Sequence, residues 1–144
     1  MTVAFTTLPG LPASVAAARR FVTGVLHACP ETTAPDEVVD RAALLTSELA
    51  TNALRHTRSG DPGETFTVHL TVDACGLRTE VHTRIPRQWQ TFPHVTAPTD
   101  PFAEHGRGLL LVDQLATTWG TLAPWQHGVY FHLTWTTNPP NHTT

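Results

Sequence analysis

The chain has no lysine, only two cysteines among its 144 residues, and no apolar run long enough to cross a bilayer. Each absence closes off a class of function. All nine basic residues are Arg, and with twelve acids the formal net charge is −3, so no basic patch favours direct nucleic-acid binding. A protein partner or a small ligand is the expectation. Cys29 and Cys75 stand far apart with no CxxC pair, which argues against a zinc site or a disulfide framework and leaves two free thiols. The opening MTVAFTTLPGLPASVAAARRF lacks the charged-then-apolar order of a secretory leader, so a cytoplasmic protein away from membranes is expected. Among the nine histidines, His69, His82, His94, His105 and His132 lack the H-x-x-x-H or H-x-H spacing that puts two ligands on one face.

What is present fits one globular core, with 40% hydrophobic and 15% charged residues. Pro9, Gly10 and Pro12 suggest that residues 1–13 form an irregular or short extended arm. Ser14 then reads as the N-cap of a first helix from Val15 to about Ala28, with Val15, Ala18, Val22, Val25 and Leu26 on one face and Arg19 and Arg20 outward. Pro35, Asp36 and Glu37 open a long second helix to His56, whose stripe is Val38, Val39, Ala42, Leu45, Leu49 and Ala53. The alternation in TFTVHLTVDACGLRTEVHT predicts a hairpin turning at Asp73–Gly76. Residues 85–105 carry Pro86, Pro93, Pro98 and Pro101 and read as a lid. GRGLLLVDQLATTWG reads as a glycine turn opening a short helix from Leu109 to about Ala116, followed by a hairpin with strands near 117–123 and 128–135. The tail 137–144 should fray. Helices on one face of a mostly antiparallel sheet follow, an α+β domain over 14–136.

Two constellations bear polar chemistry. Glu48 and Asn52 in LLTSELATNALRH lie one helical turn apart and share a face, where a carboxylate can orient a hydroxyl and a carboxamide can ligate Mg²⁺. The spacing alone favours an ordinary solvated helix face. His105-Gly106-Arg107-Gly108 before a helix offers backbone N–H groups to phosphate oxygens, or is a plain tight turn.

Taken together, in this order, these segments resemble the GHKL (Bergerat-fold) ATPases, and within them the short bacterial anti-sigma-factor serine/threonine kinases. ASVAAARRFV resembles the family's first helix and ALLTSELATNALRHT its N box. LRTEV with Pro86-Arg87 resembles the approach to the first glycine box, GRGLLLVDQLATTWG the second, and GVYFHLTW the closing strand. The resemblance implies a two-layer sandwich with a mostly antiparallel, mixed sheet. It also implies ATP and Mg²⁺ as ligands, Glu48 as the base in phosphoryl transfer and Asn52 as the metal ligand. Gly106, Arg107, Gly108 and Leu109 would lie at the phosphates, and Thr83 at the base. Its partners would be a sigma factor or an antagonist-like protein, and homodimerisation through an edge strand or through Phe21 and Val22 would be in keeping.

One departure stands out. Where the resemblance places an Asp that accepts from the adenine amino group, this chain has Thr83, and Glu80 points to the opposite sheet face. A charged acceptor contributes about 1.5–3 kcal/mol against about 1 for a neutral one, so ATP affinity is expected to fall about tenfold or more. The alternative to a kinase is therefore a non-catalytic protein-binding module of the same fold with weakened nucleotide binding.

Overall fold

The computed structural model describes residues 1–29, 34–87 and 104–136, with the backbone alone for 104–108. Most of the expected lid and the tail 137–144 lie outside the described residues. The elements are β1 (Thr2–Pro9), α1 (Ala13–Ala28), α2 (Asp36–His56), β2 (Thr65–Val72), β3 (Gly76–His82), α3 (Glu104–Leu115), β4 (Thr118–Thr121) and β5 (Gly128–Thr134). A single 3-10 turn, Arg58–Gly60, follows α2. The strands form one sheet in the order β1-β2-β3-β5-β4, and every pairing among them is antiparallel. The expected α+β class holds, and the described strands include no parallel pair.

Strand alternation builds the core. Phe66, Val68, Leu70 and Val72 of β2, Leu77 and Val81 of β3, and Val129, Phe131 and Leu133 of β5 all point to the helical side and are buried. Ala18, Val22 and Leu26 of α1, Leu45 and Leu49 of α2, and Leu109 and Val112 of α3 close over them. The helix α1 lies against β1 and β2, α2 spans β3 and β5, and α3 packs on α2 beside β4. The β2–β3 hairpin turns where expected, with the Asp73 side chain accepting from the Cys75 N–H at 3.0 Å.

Three expectations about this layer change. Residues 2–9 are the edge strand β1, zipped along all of β2, so the extended alternative for the arm is the one realised. Ser14 is not a cap: α1 begins at Ala13 after Pro12, with no side-chain cap, and Ser14 is buried within the first turn. Val22 is fully buried in the chain's own core, so it has no surface to offer a second copy.

The opposite sheet face carries a polar row. Glu80 accepts from Arg78 Nε at 2.7 Å and lies 2.7 Å from His82 Nε2, and Arg78 sits 3.8 Å over the Tyr130 ring. The His69 ring stacks on Phe5 and tilts 4.2 Å from that of His82. Burial would raise Glu80, but its hydrogen bonds and charge contacts with Arg78 and His82 outweigh that and hold its pKa below the usual carboxylate value. Burial, with repulsion from His82 added, pushes His69 below 6.5. Both shifts make the unfolded chain the better proton acceptor at acid pH. Stability is therefore expected to fall as pH drops from about 7 to about 4, first through His69 and then through Glu80. Urea midpoints across that range check this, with His69→Asn flattening the upper limb; a flat upper limb in the native chain would contradict it.

Candidate functional site

The helix α2 presents a core row and a polar flank. Its core row, with Leu45 and Leu49, is sealed, while Glu48 and Asn52 lie half-buried on the flank, one turn apart. Neither makes a side-chain hydrogen bond or ion pair with any described residue. The hydroxyls beside them are occupied elsewhere, Ser47 Oγ donating to the Leu44 carbonyl at 2.6 Å and Thr51 Oγ1 to the Ser47 carbonyl at 2.8 Å. A half-buried carboxylate and carboxamide left without internal partners are suited to an external ligand.

Thr83 follows β3, keeping the helix-facing parity of Leu77, Thr79 and Val81. Its N–H donates to the His127 carbonyl at 3.0 Å, which fixes it against the start of β5. Its half-buried hydroxyl has no partner among the described residues.

Beyond Thr83 the chain is strapped to the end of α2. Arg58 N–H donates to the Ile85 carbonyl at 2.9 Å, Arg87 N–H to the His56 carbonyl at 3.0 Å, and Arg84 N–H to Ser59 Oγ at 2.9 Å. Thr57 and Pro86 form an isolated antiparallel bridge. Arg87 pairs with Asp61 at 2.6 Å and Arg84 with Glu64 at 2.8 Å. Burial would raise the Asp61 pKa, and its contacts with Arg87 and Arg58 hold it lower instead. Residues 85–87, expected at the start of the lid, are thus anchored. No spacing rule announces this strap, because its bonds join segments 20 or more residues apart.

The glycine segment departs from its expected form. The helix α3 begins at Glu104, so Gly106, Arg107 and Gly108 lie inside its first turns rather than in a preceding loop. Burial of Leu109 and Val112 against α2 rewards helix over the roughly 1 kcal/mol that each glycine costs. The N–H groups without intrahelical acceptors are consequently those of Glu104 to Arg107. Leu109 is 3% exposed and belongs to the core, so its side chain cannot line a ligand site.

Residues 8–121, from the end of β1 to the end of β4, match the histidine kinase-like ATPase domain. The chain belongs to that family. No curated protein matches it. Membership of the histidine kinase-like ATPases implies ATP binding, typically with Mg²⁺, and the residues present can be tested against both. Glu48 and Asn52 fit the metal and phosphate end, since two unpartnered oxygen-bearing side chains on one rigid helix are what a hard cation takes. At Thr83, the residue expected at the base, the chain brings a hydroxyl in place of a carboxylate.

Two further hydroxyls, Thr46 on α2 and Thr79 on β3, are fully buried without a partner among the described residues. Thr79 was legible as the one polar residue in an inward apolar row. Among the described residues no three His, Cys, Asp or Glu side chains gather as a metal cluster, and no helix is long and apolar enough to cross a membrane.

Proposed function

We propose that this histidine kinase-like ATPase domain binds ATP with Mg²⁺ beside α2 and acts in the cytoplasm as a switch toward a regulatory protein, in the manner of the anti-sigma-factor serine/threonine kinases. The observation that carries this is the Glu48–Asn52 pair, half-buried, one turn apart and without internal partners. Bound Mg²⁺ would neutralise charge on the triphosphate, with Asn52 Oδ1 among its ligands. Glu48 would take the proton from a partner Ser or Thr hydroxyl as that oxygen attacks the γ-phosphorus and the β–γ bridging oxygen leaves with ADP. The N–H groups at the start of α3 that lack intrahelical acceptors favour anionic oxygens.

Thr83 favours the second reading, a module that holds a protein partner with little nucleotide dependence. Calorimetric titration with ATP decides between them. The kinase reading expects Mg²⁺-dependent binding that Asn52→Ala weakens about tenfold or more, as loss of a hydrogen-bonded or liganding group to charge implies. Binding that ignores Mg²⁺ and Asn52 would remove the metal role, and absence of binding would leave the module.

A further inference from the structure

Among the described residues, the carboxylates near Thr83 in the chain's fold have partners or face away. Glu64 is held by Arg84, Asp61 by Arg87 and Arg58, and Glu80 faces the other side of the sheet between Arg78 and His82. Across from His82 on β5 stands Gly128, which has no side chain to contribute. Among the described residues, the polar group left free at the end of β3 is the half-buried hydroxyl of Thr83, on a backbone fixed by its bond to His127.

A carboxylate and a hydroxyl read a purine differently. A carboxylate only accepts, so it pairs with an exocyclic amino group and opposes a ring carbonyl. A hydroxyl carries one donor and two lone pairs on a free rotor, so it can accept from the amino group or donate to the carbonyl. A site discriminates strongly only when the wrong ligand leaves one of its polar groups unpaired, and a hydroxyl is left unpaired by neither.

We propose that this site takes purine nucleoside triphosphates of both the 6-amino and the 6-oxo kind, with Thr83 Oγ1 as the base-reading group. The proposal rests on the nucleotide site described above and goes beyond it in the class of ligand.

Titration of the full chain with ATP and with GTP, each in excess Mg²⁺, tests it beside Thr83→Asp. The native protein should bind the two with Kd values within about fivefold, and Thr83→Asp should shift the ratio toward ATP by about tenfold or more. A native preference for ATP above about tenfold, or a ratio unmoved by Thr83→Asp, overturns the proposal while leaving the nucleotide site standing. Binding seen only in Thr83→Asp also overturns it, and makes the native chain a module that has lost its ligand. Absence of binding in both proteins overturns the nucleotide site and the proposal together. Should thermal melts show Thr83→Asp unfolded, Thr83→Val removes the hydroxyl at similar volume. It is expected to weaken ATP and GTP by the same factor, about threefold to tenfold, and an unequal or absent loss rejects the proposal.

Discussion

Glu48→Ala is expected to lower phosphoryl transfer to a partner Ser or Thr by about 10²–10⁴-fold, the usual contribution of a positioned base, with ATP affinity changed by no more than a few fold. The separation of the two effects follows from the geometry of α2. Glu48 makes no side-chain bond to a described residue, and Ala is a better helix former than Glu, so neither the fold nor the turn that positions Asn52 has reason to shift. Asn52→Ala should do the reverse, losing nucleotide first, because the role proposed for it is at the metal and phosphates. Single-turnover transfer from labelled ATP, read beside direct binding, separates the two variants. Equal transfer by native protein and Glu48→Ala would return Glu48 to an ordinary helix-face carboxylate.

How much of this was legible depended on the range over which each feature is determined. The stripe of α2 and the alternation of β2 and β3 are local patterns with large apolar residues, and both elements lie where their periodicity places them. β1 obscured itself: Val3 and Phe5 point outward and are exposed, while small Ala4 and Thr6 share the helix-facing side with Leu8. With Pro9, Gly10 and Pro12 following, the strand reads as an arm until its partner β2 is in place. The start of α3 was misplaced for the opposite reason, since glycine is a strong local signal that burial of Leu109 and Val112 overrides. Spacing set Glu48 and Asn52 on one face, and the resemblance singled them out. Their half-burial without internal partners depends on neighbours that only the fold supplies.

Gly128→Ala is expected to destabilise the protein by about 3 kcal/mol or more, because two penalties of about 1–3 kcal/mol each fall on one atom. Gly128 has φ 149°, a conformation L side chains rarely adopt, and a Cβ there would press into the Val81 carbonyl and lie 2.8 Å from Leu122 Cδ1. The Val81 carbonyl is backbone, so it cannot swing aside as a flexible side chain would. Relief requires the start of β5 to move off β3, where Gly128 pairs with His82 and the preceding His127 carbonyl accepts from Thr83. The same substitution should therefore disturb the setting of Thr83 before it unfolds the chain. Gly24→Ala is the opposite case, an exposed position inside α1 with nothing within 4 Å of the new methyl, and should stabilise by about 0.5–1 kcal/mol. Urea unfolding of the pair gives shifts of opposite sign if backbone contact governs these glycines. A Gly128→Ala midpoint equal to that of the native chain would mean that β5 does not enter the sheet at this φ, and that Thr83 is not held where its bond to His127 places it.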